Sequence, residues 1–451
     1  MDTSEAYDHM APKLTGKKEG TFAFLTVRDR WPLIVTRLVD QLKRNREGLI
    51  AELGECAASD VDGILAKFSE LRYRMMTDKP LDMLTDRGQD TEEWNEFLSE
   101  NRSGDMIQVY DTHRETLTWF NGPWLFVECY LYRLIHGAFA STYKLEDMDY
   151  FEEIKRANFN DHLDQIEEAA TFVLKVCAKD TPAHELFGIT TFLKMSLWGN
   201  RADMSLTGGD PSCLEMSSMK ASTKLDDYVL INDINQLTVK VLAPLLQKRD
   251  TDTNRRIDIV LDNAGVELSG DLVLAEFLIA RGFADRIVVH GKSFPWFVSD
   301  VTKRDFDWTL NSFEKAGSES KKLGEILKKR VEDGTLVFKC HKFWTYPHAY
   351  YKMAEVAPDL YSELQTSSLA IFKGDLNYRK LVGDRDWDLE ATFEKACRGF
   401  APCPFFALRT LKAETVAGLS KEVIDEIITK FDDDLSWMTS GEYAVCQLGG
   451  I

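Results

Sequence analysis

The chain has 451 residues, of which 44% are hydrophobic and 29% charged, a balance that describes a folded globular protein with core enough for two or three domains and excludes a disordered one. Its formal net charge of -19 excludes a general basic face for nucleic acid, because phosphate contacts need clustered Lys and Arg, although a local basic pocket is compatible with it. Nothing approaches the roughly 18 to 20 uninterrupted apolar residues of a membrane span, and the acidic opening Met1-Asp2-Thr3-Ser4-Glu5-Ala6-Tyr7-Asp8 lacks the apolar stretch of a secretory signal.

Eight cysteines are scattered along the chain, and several lie in apolar runs, as Cys129 does between Val127 and Leu131. That usage suits a reducing compartment. Cys397 and Cys403, the closest pair, have no CxxC or Cys/His zinc spacing around them, so core thiols are expected there rather than a zinc site. The expectation is a cytoplasmic protein, with the nucleus also compatible, and a monomer, since no coiled coil or isolated apolar helix asks for a second copy.

From about Trp31 to about Ser205 apolar residues recur at three- and four-residue steps with few Gly or Pro breaks, which predicts helices. Ile34, Leu38 and Leu42 line one face after Pro32, a residue favoured near helix starts. Phe126, Tyr130 and Leu134, flanked by Leu131 and Ile135, form a stripe on a helix entered through Asn121-Gly122-Pro123. From about Tyr228 short aliphatic runs alternate with longer amphipathic segments. The runs are Asp258 to Leu261, Arg286 to His290, Leu336 to Lys339, Leu369 to Phe372 and Phe405 to Leu408. Between the first two, Asp271 to Ala280 reads as a helix, with Ser269 a candidate cap and Gly282 a stop. Strands alternating with helices imply a largely parallel sheet with right-handed crossovers. The change of texture divides the chain into a mainly helical domain over residues 1–205 and an α/β domain over residues 206–451.

The predicted strands end in polar residues, and in an open parallel sheet the carboxyl ends of strands are where ligands sit. Asp262 and Asn263 follow the first run, and Asp300 closes the segment Lys292-Ser293-Phe294-Pro295-Trp296-Phe297-Val298-Ser299-Asp300 after the second. Lys373-Gly374-Asp375-Leu376-Asn377-Tyr378-Arg379 follows the fourth, and Arg409-Thr410-Leu411-Lys412 the fifth. Hard oxygen donors such as Asp262, Asn263 and Asp300 suit Mg2+ or Mn2+. Lys373, Arg379 and Lys412, with backbone amides around Gly374, would supply charge for a phosphoryl group. Each piece has an ordinary explanation too. An Asp-Asn pair after a strand is commonly a turn or cap, Asp300 is equally an N-cap for a helix at Val301 or a surface residue, Lys412 a solvated lysine and Arg379 the partner of a nearby acid.

These segments resemble the DUF89 damage-control phosphatases, in the subfamily marked by an Arg-Thr-x-Lys motif near the C-terminus. The motif is Arg409-Thr410-Leu411-Lys412, and its companions are Asp262-Asn263-Ala264-Gly265-Val266-Glu267, Gly374-Asp375-Leu376-Asn377-Tyr378-Arg379, Ser196-Leu197-Trp198-Gly199-Asn200-Arg201 and Gly122-Pro123-Trp124-Leu125-Phe126-Val127-Glu128-Cys129-Tyr130. The resemblance implies a Rossmann-like three-layer α/β/α domain plus an α-helical N-terminal domain. It also implies metal-dependent hydrolysis of sugar phosphates such as fructose 1-phosphate and fructose 6-phosphate, with manganese, cobalt or nickel as cofactor. Carried over by position, it makes Asp262, Asn263 and Asp300 the metal ligands. Asp262 and Asn263 then also meet substrate, together with Asp375, Leu376, Asn377, Tyr378, Arg379 and Lys412.

On this reading the cation would polarise the phosphoryl group and activate a water, and Lys412 and Arg379 would stabilise the transition-state charge, which makes Asp262, Asn263 and Lys412 the catalytic set. Asp375 or Asn377 would orient the water or a sugar hydroxyl. Direct water attack is favoured over an aspartyl-phosphate on Asp262, with both open. Glu128, an acid on an apolar helix, is a further substrate-binding candidate, and a buried pair with Arg133 is its plainer alternative. Asn200, Arg201 and Asp203 are candidates for the same cleft. The rival function is S-adenosylmethionine-dependent protein-glutamate O-methyl transfer, which the resemblance also brings with it. That chemistry usually needs a glycine-rich turn after the first strand, and Asp262 to Glu267 holds one glycine. A non-catalytic sugar-phosphate sensor is a third reading.

Overall fold

The computed structural model describes residues 11–103, 116–178, 185–199, 226–247, 255–432 and 434–451. It divides into two compact units: Met1–Tyr150 with Thr345–Pro347 and Asp384–Asp386, and Phe151–Trp344 with His348–Gly383 and Trp387–Ile451.

The first unit is helical, with long helices at Trp31–Leu53, Cys56–Met76, Thr91–Ser103 and Trp124–Ala140. Pro32 is the second residue of the first of these, but it does not open the helical run, because helical turns precede it over Phe22–Arg30, with a wide turn at Thr26–Arg30 directly before it. The buried face of that helix is Trp31, Val35, Leu38 and Leu42; Ile34 is only half-buried. Trp124–Ala140 starts at Pro123 as expected and is buried almost all round rather than along one stripe. Its Arg133 is 1% exposed and donates to Asp86 at 2.8 Å and to Asp90 at 2.9 Å. Glu128 accepts from the Trp31 indole Nε1 at 3.2 Å. The acid partners of Arg133 are therefore two aspartates from a distant loop.

The second unit is built on a seven-stranded sheet: β1 Val229–Asn232, β2 Arg256–Val260, β3 Arg286–Gly291, β4 Leu336–Cys340, β5 Leu369–Lys373, β6 Phe405–Thr410 and β7 Ala444–Gly449, in the order β1-β7-β6-β5-β2-β3-β4. Strands β6, β5, β2, β3 and β4 are mutually parallel; β7 runs antiparallel to β6, and β1 parallel to β7. The runs recognised in the sequence are β2 to β6. Strand β1, at one edge, is only four residues long, and its neighbour β7 carries Gln447 within its run, so both lack that signature.

Alternate residues of each central strand face opposite layers. Ile257, Ile259, Ile287, Val289, Leu369, Ile371 and Phe406 join one core with Phe192, Leu272, Phe277 and Leu323 from the helices Glu185–Trp198, Val266–Ala280 and Ser318–Glu332. On the other side Phe372 meets Tyr350 at 5.2 Å, Phe400 at 5.8 Å and Phe405 at 5.9 Å between ring centroids. The sheet is thus the middle of three layers, as expected.

One helix boundary differs from the sequence reading. The helix after β2 begins at Val266, and Ser269 lies inside it with its hydroxyl on the Gly265 carbonyl at 3.0 Å. The Val266 N–H is capped instead by Asn158 Oδ1 at 3.1 Å, a residue more than a hundred positions earlier that no local pattern reveals. Gly282, with φ of 75°, ends the helix as expected. No described helix is long and apolar enough to cross a membrane.

His136, on the Trp124–Ala140 helix, is held neutral: burial and then the Arg133 charge push its pKa from 6.5 down to about 4. The unfolded chain therefore takes up a proton at higher pH than the folded one, and this contribution to stability is lost as pH falls from about 6.5 towards 4. His136→Gln should flatten the fall in denaturation midpoint across that window. A pH slope unchanged from the wild type would reject this account.

Candidate functional site

The site follows from the order of the central strands. The chain leaves β2 for β3 and β4 on one side and returns to β5 on the other, so the connections from β2 and β5 diverge at the carboxyl edge. Such a switch point opens a crevice between adjacent strands.

After β2 the chain stays extended and is stitched to the segment that follows β3. Ala264 N–H donates to the Ser299 carbonyl at 2.7 Å and Val301 N–H to the Asp262 carbonyl at 2.9 Å, which pairs Asn263 with Asp300 across a short bridge. Asp262, Asn263, Ser299 and Asp300 are thereby brought together from two strand ends. Asp300 is 2% exposed, and the helix beyond it is capped by Thr302, so Asp300 is neither a cap nor a surface residue. The approach to it is strained: Phe297 and Val298 have φ of 44° and 69°, and a β-branched residue in that region costs roughly 1 to 3 kcal/mol.

Asn263 is fixed from both ends of its carboxamide. Its Nδ2 donates to Asp262 Oδ2 at 2.8 Å and to Glu267 Oε2 at 2.9 Å, and its Oδ1 accepts from Ser299 Oγ at 2.5 Å. From β5, Gly374 approaches Asp262 so closely that a Cβ on it would lie 1.8 Å from Asp262 Oδ2, and its φ of 81° also calls for glycine. The carboxylate therefore rests against the start of the Gly374–Val382 helix, where partial positive charge favours an anion.

Negative charge concentrates here. Burial, followed by repulsion from Glu267 and Asp300, pushes the Asp262 pKa well above its ordinary value against the pull of Lys412 and Lys292. Burial likewise raises Asp300 despite the Lys292 ammonium 3.1 Å from its Oδ2. Buried carboxylates crowded in this way form an environment that attracts positive charge, which Lys292 supplies in part.

Among the described residues no three His, Cys, Asp or Glu side chains close around one point as a metal cage. What the strand ends offer is two carboxylates and the Asn263 amide oxygen. Such a set fits a hard divalent cation that keeps several waters or ligand oxygens.

The other predicted residues divide. Lys412 is exposed and close enough for its charge to act on Asp262, which suits ligand contact. Asp375 Oδ1 accepts from Arg409 Nε at 2.8 Å and from the Lys412 N–H at 3.1 Å, so it anchors the turn that carries Lys412. Asn377 holds strand ends, donating to the Lys373 carbonyl at 2.7 Å and the Leu261 carbonyl at 3.2 Å. Leu376 is buried, and Tyr378 stacks on Phe393 with centroids 5.8 Å apart beneath the Arg409 guanidinium. Arg379 is 4% exposed. Lys373 is no clamp in this arrangement: it is 1% exposed, with Nζ 2.5 Å from the Ser196 carbonyl and 2.9 Å from Asp271 Oδ1. Glu128 lies in the first unit, and Asn200, Arg201 and Asp203 lie outside the described residues.

Sequence reasoning passed over Glu267, Asp271 and Lys292. Glu267 and Asp271 are four residues apart on one face of a largely apolar helix, a spacing that marks them as facing something polar. Burial, partly countered by Lys373 and then raised further by Glu267, brings the Asp271 pKa up to about 6.

Fold and site define an open α/β protein with a buried cluster of oxygen donors at its switch point. A family model described as the damage-control phosphatase ARMT1-like domain matches residues 26–427. The chain is 39% identical over 448 residues to the Danio rerio protein named damage-control phosphatase ARMT1, covering 98% of each. It is 39% identical over 443 residues to the Mus musculus protein of that name, covering 97% of this chain and 98% of the other. To the Homo sapiens protein it is 36% identical over 441 residues, covering 97% and 98%. The chain belongs to the damage-control phosphatase ARMT1-like family, and its activity class is that of a metabolite-repair phosphatase.

Gly374→Ala should displace the Asp262 carboxylate and lower phosphate release by at least about a hundredfold, the usual consequence of moving a reacting group by an ångström. Circular dichroism should show the fold retained. Activity within a few-fold of wild type would mean that Asp262 is not held in this way.

Proposed function

We propose that the protein is a metal-dependent phosphomonoester hydrolase acting on sugar phosphates, with fructose 1-phosphate and fructose 6-phosphate as expected substrates. Mn2+, Co2+ or Ni2+ is the expected cation, and Mg2+ suits the same donors. The observation that supports this most is the meeting of Asp262, Asn263 and Asp300 from two strand ends beside Lys412 from a third. Family membership supplies the phosphatase chemistry.

Asp262, the Asn263 amide oxygen and Asp300 would hold the cation, which when bound supplies Lewis-acid charge to the phosphoryl oxygens. Lys412 would bind those oxygens from the exposed side and offset charge as it builds in the transition state. The first turn of the Gly374–Val382 helix adds partial positive charge for the same anion. Asn263 and Glu267 keep the Asp262 side chain oriented through the shared Nδ2 donor. That engagement of Asp262 Oδ2, together with the backbone packed against it, favours water over Asp262 as the attacking group.

Methyl transfer finds no comparable support. The single glycine after β2, Gly265, faces Asn158, whose Oδ1 would lie 2.1 Å from an added Cβ, so that turn is filled by the protein itself.

Purified protein should release phosphate from a sugar-phosphate panel only with a divalent cation present. Asp262→Ala should abolish release while leaving the circular dichroism unchanged, and Lys412→Ala should lower kcat/KM by about 10² to 10³, the scale of losing one charge-stabilising donor. Release that persists in EDTA, or survives Asp262→Ala, would defeat the reading. Labelled methyl incorporation that survives chelation would support the methyltransferase instead.

A further inference from the structure

Lys292 is the first residue beyond β3 and is 2% exposed, an unusual position for a lysine. Its backbone is fixed by an N–H bond to the Val301 carbonyl at 2.8 Å. Its Nζ has two contacts: the Leu261 carbonyl at 3.3 Å and Asp300 Oδ2 at 3.1 Å. The ammonium thus lies against the residue before Asp262 and against Asp300, and its charge acts on both carboxylates.

The other lysines near this edge have direct partners of their own or lie in solvent, although the charges of Lys380 and Lys155 also act on Asp300. Lys380 donates to the Trp344 carbonyl at 2.9 Å, Lys155 to Asp305 at 2.6 Å, and Lys373 pairs with Asp271 at 2.9 Å. Lys412 is exposed.

We propose that Lys292 is a built-in counter-cation and positioning residue, whose buried ammonium holds Asp262 and Asp300 together and limits how tightly their oxygens bind a divalent cation. The inference rests on the metal reading given under Proposed function. Two carboxylates forced side by side in a buried edge repel one another, and a fixed positive charge in contact with Asp300 and acting on Asp262 relieves that repulsion whether or not a metal is present. The same charge repels an incoming divalent cation. Its removal leaves two uncompensated buried carboxylates, so the site should bind the cation more tightly and the fold should come to depend on it.

The test is Mn2+ titration of the full chain by calorimetry, comparing wild type, Lys292→Met and Lys292→Arg. Lys292→Met should lower the Kd for Mn2+ by about tenfold or more, melt below wild type in EDTA, and gain more from added Mn2+ than wild type does. Lys292→Arg keeps the charge and should stay within about threefold of wild type. Equal or weaker Mn2+ binding by Lys292→Met overturns the inference, because a merely structural lysine would give that result. If Lys292→Met does not fold in EDTA, Mn2+ should restore its circular dichroism and that of Lys292→Gln; failure of saturating Mn2+ to do so also overturns it. Absence of Mn2+ binding by the wild type is a different outcome, one that defeats the metal reading itself.

Discussion

The site depends on the close approach of two adjacent central strands at the point where their connections diverge. Strand β2 delivers Asp262 and strand β5 delivers Gly374, and the carboxylate of the first occupies the space a side chain on the second would need. That packing fixes Asp262 without a bulky neighbour and sets it at the start of a helix, where an anion is stabilised. The Asn263 carboxamide, the Ser299 hydroxyl and the Glu267 carboxylate are then arranged around it in one hydrogen-bonded chain.

Holding several acids in one crevice requires compensation, and the chain supplies it at two depths. Lys292 and Lys373 are buried and paired with acids of the same edge, while Lys412 is left exposed. A buried lysine bound to a carboxylate acts as part of the scaffold, and an exposed one is available to a ligand. The division explains why residues of the same type, each at a strand end, have different tasks. The strained backbone at Phe297 and Val298 belongs to the same economy of placement, since it turns the chain back so that Ser299 and Asp300 face the end of β2.

Several assignments that look equivalent along the chain separate on these grounds. In the stretch Asp375 to Arg379, the carboxylate of Asp375 steadies the Lys412 turn, Asn377 ties β2 to β5 through backbone carbonyls, and Leu376 and Tyr378 pack into the layer beneath. A short motif can thus be informative about a site while most of its side chains support the site from below. Asn158 makes the complementary point, for it caps the helix bearing Glu267 and Asp271 from a remote position in the chain.

Much was decided by residue order alone. Aliphatic runs bounded by polar residues identified β2 to β6, because strands of a covered parallel sheet are rich in apolar residues, and even β4, the half-exposed edge strand, keeps such a run. The polar residues at their ends converge on one edge, that of the candidate site, since parallel strands bring all their carboxyl ends to one side. Strands β1 and β7, the remote cap on Val266 and the acid partners of Arg133 were not legible, because each depends on a contact between segments far apart in sequence. Tertiary structure alone decided which charges are sealed and which are free. Lys292, Lys373 and Lys412 are alike in one dimension, and what distinguishes them is burial and the distance to a carboxylate, quantities that exist only once the strands are packed.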